Sequence, residues 1–187
     1  MHGSVRLWDL SGSKPCEKAI LKSEPEEIHS LAFAGNRILA IGCGSLEGFI
    51  WLWDLAGLTP KKLATLQGHK SPVEALAFSK DNHFLASGGC DKSVILWEIA
   101  GPDSKELAAF KGHTENVKAL AFSPDSKTLV SASLDGSIRF WRRGSILSKD
   151  LLAVLEEIGD RFMPSLFLPM AGIWLSAHSI RRSAFSA

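Results

Sequence analysis

Residues 68 to 98 read GHKSPVEALAFSKDNHFLASGGCDKSVILWE, and residues 112 to 142 read GHTENVKALAFSPDSKTLVSASLDGSIRFWR. Laid on each other without a gap, at a constant offset of 44, they agree at 14 of 31 positions. Agreement of that extent marks an internal repeat. A repeat has to be recognised before anything else, because each unit is then one supersecondary element that buries its apolar face only against its neighbours. The tryptophans keep the same beat along the chain: Trp8, Trp53, Trp97 and Trp141 are separated by 45, 44 and 44 residues. An acid follows the first three, Asp9, Asp54 and Glu98, whereas Arg142 follows the fourth.

Inside one period the pattern is short apolar runs separated by turn chemistry. VEALAF at 73 to 78, HFLASGG at 83 to 89 and SVILWEI at 93 to 99 have strand length and strand composition, and KELAAF at 105 to 110 adds a fourth run before the next Gly-His. Ser-Lys-Asp-Asn at 79 to 82 and Cys-Asp-Lys at 90 to 92 supply the turns between them. Four strands in a period of about 44 residues predict an all-β protein built of propeller blades.

On these residues the chain resembles the WD-repeat β-propeller family. Gly68-His69 stands 28 residues before Trp97 and Gly112-His113 stands 28 before Trp141, so two complete Gly-His to Trp units lie in register. The resemblance implies a hydrogen-bonded chain within each blade, formed by His69, Ser87, Asp91 and Trp97 in one and by His113, Ser131, Asp135 and Trp141 in the next. Physical accounting agrees, since indole and imidazole nitrogens enclosed between packed sheets need partners and a turn Asp accepts from both His and backbone amides. A Ser, His and Asp also suggest a hydrolase triad, but one trio repeated twice and tied each time to a Trp is a structural device rather than a single active site. The unit from Glu27 to Leu55 departs from the pattern, with Ser23-Glu24 in the Gly-His place, Ile41 in the Ser place, Glu47 as the turn acid and two extra residues in the turn. No such chain is expected there. That blade is expected to be the softest of the complete ones, and its turn at Gly42 to Gly48 the most adaptable.

Strand alternation places Ile28, Val73 and Val117 in the packing between blades, so their neighbours face elsewhere. In the family, those neighbours and the residue before the turn Asp surround the mouth of the central channel. The matching residues are Glu27, His29 and Leu46; Pro72, Glu74 and Cys90; and Asn116, Lys118 and Leu134. They form the candidate partner-binding set. Trp51, two residues before Trp53, is read as packing against the adjoining blade.

The repeat boundaries follow as 1 to 22 for the end of a blade, then repeats at 23 to 67, 68 to 111 and 112 to 155, with 156 to 187 a decayed partial repeat or a tail outside the propeller. HGSVRLWDL at 2 to 10 matches LDGSIRFW at 134 to 141, so the chain begins on a third strand. Beyond Arg143, SKDLLAV at 148 to 154 lies on SKELAAF at 104 to 110. Phe167-Leu168-Pro169 then lies on Phe122-Ser123-Pro124, and Trp174-Leu175-Ser176-Ala177 on Leu129-Val130-Ser131-Ala132, at offset 45. A helix at 149 to 158 is the alternative. The count is about four blades, few for a propeller, and an unclosed arc exposes strand edges and apolar faces. Three readings meet this: a fragment of a larger gene product, which we prefer, a homodimer completing a ring, or first and last strands sharing one blade.

Composition narrows function. Of 187 residues, 21 are Lys or Arg and 20 are Asp or Glu, so no basic surplus exists to neutralise a run of phosphates, and nucleic acid is not an expected partner. Cys16, Cys43 and Cys90 are odd in number and widely spaced, which indicates neither a disulfide framework nor a metal site and fits a reducing compartment. The first residues have no apolar signal core, so an intracellular place, cytoplasm or nucleus, is expected. Residues 162 to 180 hold no formal charge, but Pro164, Pro169 and Gly172 interrupt them and argue against a membrane span. Neither a Gly-rich phosphate loop nor a nucleophile with an isolated base appears, so no catalytic residue, cofactor or metal is assigned. The expectation is a non-catalytic scaffold binding other proteins or peptides, or else a docking segment of a larger signalling protein, with a propeller enzyme as the remote alternative.

Overall fold

Alternation of apolar and polar residues over five to nine positions, cut by Gly, Asn, Asp and Ser, produces fourteen strands in a computed structural model that describes residues 4–22, 27–142 and 151–155. β1 (Ser4–Asp9) and β2 (Cys16–Lys22) make a two-stranded sheet. Three four-stranded sheets follow, each antiparallel and each meandering in chain order. The first holds β3 (Ile28–Ala34), β4 (Ile38–Cys43), β5 (Gly48–Asp54) and β6 (Lys61–His69). The next holds β7 (Val73–Phe78), β8 (Phe84–Gly89), β9 (Val94–Glu98) and β10 (Lys105–Phe110). The last holds β11 (Val117–Phe122), β12 (Thr128–Ser133), β13 (Ile138–Arg142) and β14 (Leu151–Leu155). A single 3-10 turn at Gly101–Asp103 is the only helical element among the described residues.

The sheets stack face to face, because their central strands β4, β8, β9 and β12 are buried along nearly their whole length and one sheet cannot cover itself. Ala40, Ile50, Leu52 and Leu66 of the β3–β6 sheet pack against Leu85, Ile95, Trp97 and Ile99 of the β7–β10 sheet. The other face of that sheet, through Ala86, Val94, Leu96 and Phe110, meets Val117, Phe122, Leu129 and Trp141. Val5 and Leu21 of the two-stranded sheet pack on Leu39, Ile41, Cys43 and Trp51. Trp51 is therefore a packing residue, and its ring also carries the Lys62 ammonium 4.4 Å from its centroid. This is an arc of blades, as the repeat count implies.

Close approach of successive sheets explains two glycines. A β-carbon on Gly88 would lie 2.5 Å from Val117 Cγ1, and one on Gly42 would lie 2.9 Å from the Val73 carbonyl oxygen. Both positions sit where the first valine of the following inner strand presses in.

One sequence expectation changes here. Residues 151 to 155 form a strand that pairs with β13, so the alternative helix over 149 to 158 does not form across them. Cross-strand pairing in a sheet already nucleated by β13 outweighs the helical pattern of a short segment. The decayed repeat from 156 onward, the Ser23-Glu24 place and His2 lie outside the described residues.

Candidate functional site

The polar network begins at the end of an outer strand. β6 terminates at His69, whose ring reaches over to the following sheet: Nδ1 lies 3.0 Å from both carboxylate oxygens of Asp91, and Nε2 lies 2.7 Å from Ser87 Oγ. Trp97 Nε1 donates to the same Ser87 Oγ at 2.8 Å. Lys70 N–H and the Ser93 hydroxyl and N–H also donate to Asp91. The carboxylate is an acceptor only, so the imidazole proton sits on Nδ1, and Nε2 then accepts from the Ser87 hydroxyl. The proton order is indole N–H to Ser87, Ser87 O–H to His69, and His69 N–H to Asp91. Every buried donor is used once.

The second network repeats this geometry. His113 Nδ1 is 2.9 Å from Asp135, Nε2 is 2.8 Å from Ser131 Oγ, and Trp141 Nε1 donates to Ser131 at 2.8 Å. Thr114 N–H takes the place of Lys70 N–H, and Ser137 that of Ser93. Burial tends to raise the Asp91 carboxyl, but the hydrogen bonds from His69, Ser93 and Lys70 outweigh it and hold the group well below the usual carboxylate range. At Asp135, too, burial is outweighed, there by Ser137, the Thr114 N–H and His113. Burial pushes the His113 imidazole down against the pull of Asp135, which keeps a neutral ring beside an ionised acid.

This geometry corrects one expectation: the chain does not lie within one blade. His69 belongs to the outer strand of the β3–β6 sheet and His113 follows the outer strand of the β7–β10 sheet, whereas their partners sit one sheet further on. Each network is thus a clasp between consecutive blades. Ser93 and Ser137 were missed in the sequence, although the Asp-x-Ser triplets at 91 to 93 and 135 to 137 repeat at offset 44 and would have revealed them. In the β3–β6 sheet Ile41 occupies the Ser place, and Trp53 Nε1 is buried without a hydrogen-bond partner among the described residues.

The candidate partner-binding set is organised by a feature that the sequence did not announce. All three inner strands carry a β-bulge at the same place: pairing steps from Ile28 to Ser30, from Val73 to Ala75 and from Val117 to Ala119. The residues skipped are His29, Glu74 and Lys118. A bulged residue leaves the ladder and its side chain is re-aimed. Glu74 accepts from the Cys90 thiol at 3.1 Å and forms an ion pair with Lys118, while Asn116 Nδ2 donates to Cys90 Sγ at 3.2 Å. Backbone bonds from Cys90 N to Pro72 O and from Leu134 N to Asn116 O, both 3.0 Å, tie each turn to the residue before its inner strand. Burial first, then Glu74, pushes the Cys90 thiol up to about 11, so it stays protonated.

In the β3–β6 sheet the equivalent backbone bond runs from Gly44 N to Glu27 O, and His29 Nε2 contacts the Gly44 carbonyl oxygen at 2.9 Å. The register partner of Cys90 and Leu134 is therefore Gly44. Leu46 stands two residues further out, 87% exposed, at the tip of the longer turn. The two extra turn residues displaced the sequence alignment there. Glu27 lies 4.0 Å from His29.

No group of three His, Cys, Asp or Glu suited to a metal ion occurs among the described residues, and no helix among them is long and apolar enough to cross a membrane. A family model described as WD domain, G-beta repeat matches residues 60–98 and 104–142. No curated protein matches the chain.

Proposed function

Because this chain belongs to the WD-repeat family, whose repeats generally serve as protein-interaction scaffolds and are typically non-catalytic, we propose that it is a binding platform whose contact surface is the bulged end of its inner strands. The observation that carries this reading is the recurrence of the bulge at His29, Glu74 and Lys118. Each bulge interrupts the ladder at the same end of its inner strand, and side chains turned out of a ladder are available to a ligand. Around them Asn116, Cys90, Glu74 and Lys118 are already bonded to one another, so little side-chain entropy is left to lose on binding. Pro72 and the half-exposed Leu134 supply apolar contact beside them.

The charge of the set, one Lys against Glu27 and Glu74, favours a peptide or protein surface of mixed polarity over a phosphate backbone. Peptides selected from a displayed random library against the intact chain should bind at this end. Lys118→Glu and Leu134→Asp should each weaken the selected peptides by about tenfold or more, whereas Lys127→Ala, on a turn at the other end of β12, should not. Binding that ignores both substitutions, or a library that yields no binder, would remove the assignment.

A further inference from the structure

Three hydroxyl residues of the chain directly precede a proline: Thr59-Pro60, Ser71-Pro72 and Ser123-Pro124. A hydroxyl is open to phosphoryl transfer only where its segment can enter another protein's cleft as extended chain, so bonding and burial decide among the three. Two of them are held. Ser71 lies in the connector between the buried His69 and β7, where its carbonyl oxygen would be 2.2 Å from a β-carbon on Gly48 and the Pro72 carbonyl oxygen accepts from Cys90 N–H. Ser123 donates its hydroxyl to Asp125, accepts from Thr128 N–H on the same oxygen, and makes backbone bonds to Thr128 and Ser126.

Thr59 has no such ties. It lies in the connector from β5 to β6, where residues 56 to 59 are all exposed and Leu58 is 98% exposed. Among the described residues its hydroxyl has no hydrogen-bond partner, and the connector is fastened near its start, where Ala56 N–H donates to Asp54. One repeat later the same connector is closed. There it winds into the 3-10 turn Gly101–Asp103, and Ser104 donates its hydroxyl and its N–H to the Gly101 carbonyl oxygen while accepting from Ala100 N–H. Strand pairing fixes the correspondence, since Lys61 stands opposite Asp54 and Lys105 opposite Glu98. Pro60 thus takes the place of Ser104 and has neither the hydroxyl nor the N–H that fasten that turn. Thr59 takes the place of the exposed Asp103, so the fold already carries an anion at this position.

Charge separates the three pairs further. Lys61 and Lys62, both exposed, follow Pro60, and Lys62 stands three residues beyond Thr59. At the same distance beyond Ser71 and Ser123 stand Glu74 and Ser126.

We propose that Thr59 is a phosphorylation site for a protein kinase that accepts a proline directly after its acceptor and reads a cation two residues beyond that proline. The Thr59 oxygen attacks the γ-phosphorus of ATP, the bond from that phosphorus to the bridging oxygen breaks to release ADP, and the hydroxyl proton passes to the kinase's base. The product places a charge of about −2 beside Lys61, Lys62 and the exposed Leu58. An apolar tip becomes an anionic one. Because β5 runs away from the turn at Gly42 to Gly48, this tip lies at the opposite end of the sheet from the bulges, and the site does not rest on the role proposed for them.

The test uses the folded full chain, ATP and a purified proline-directed serine/threonine kinase that selects a cation at that position, with the modified residues mapped by mass spectrometry. Phosphate should appear on Thr59 and stay absent from Ser71 and Ser123. Thr59→Ser should preserve labelling and Thr59→Ala should abolish it, while Lys62→Ala should slow it about tenfold or more with an unchanged far-ultraviolet spectrum. An unlabelled Thr59 overturns the proposal. So does labelling of Ser71 or Ser123 at the rate of Thr59, or a Lys62→Ala chain labelled as fast as the original.

Discussion

Asp91→Ala is expected to lower the free energy of unfolding by about 3 kcal/mol, because it removes one acceptor and leaves several donors, one of them on an enclosed imidazole, without that partner. Those donors are His69 Nδ1, Lys70 N–H, and the N–H and hydroxyl of Ser93. His69 is almost wholly enclosed, so water does not simply replace the carboxylate. Urea unfolding followed by tryptophan fluorescence measures this as a lower midpoint with an unaltered slope. Asp125 is the control. It accepts from Ser123 and Lys127 in an exposed turn, and Asp125→Ala should cost less than about 1 kcal/mol. Equal losses at the two positions would mean that Asp91 is only another turn aspartate.

Trp97→Ala is expected to cost more, about 3 to 5 kcal/mol, since it opens a cavity between two sheets. The ring packs within the cluster of Ala40, Ile50, Leu52, Leu66, Leu85, Ile95 and Ile99, and it comes so near the preceding outer strand that a β-carbon on Gly68 would lie 2.9 Å from it. Trp97→Phe separates the two contributions. It keeps most of the apolar contact and removes the donor to Ser87, whose oxygen is then short of one partner while its proton still serves His69. A loss of about 1 to 2 kcal/mol is expected for Trp97→Phe. Calorimetry of the two variants checks the order, and a Trp97→Ala loss no larger than that of Trp97→Phe would contradict the packing role.

Much of this architecture was legible in the chain because a repeat shows its period in residue identities. The offset of 44 between the two Gly-His to Trp units located three of the four strands in each of two sheets, and KELAAF located an outer strand. What the sequence concealed were relations across units. Placing His69 in the same repeat as Ser87 follows the sequence, but the chain reverses only after His69, so that histidine belongs to the outer strand of the preceding sheet. The clasp is consequently between blades, and its loss is expected to loosen an interface rather than one sheet.

Bulges were invisible for a related reason. A skipped residue such as Glu74 or Lys118 leaves the alternation of the strand readable as unbroken sequence, and only pairing with the next strand reveals the step. Leu46 illustrates the opposite failure. Counting back from Glu47 as the turn acid put Leu46 beside Cys90 and Leu134, but the backbone bond from Gly44 N to Glu27 O sets the register, and the extra residues loop outward beyond it. In the β3–β6 sheet the substitution of Ile41 for Ser was readable, and so was its consequence for Trp53.

The clasp between blades is tested most directly by the exchange of indole N–H protons with solvent, resolved for each tryptophan by nitrogen-15 correlated NMR. The Trp97 and Trp141 protons, bonded to Ser87 and Ser131, should exchange at least about a hundredfold more slowly than that of Trp53, which has no acceptor among the described residues. Equal protection of all three would contradict the account, because the two serines would then hold nothing that Ile41 does not.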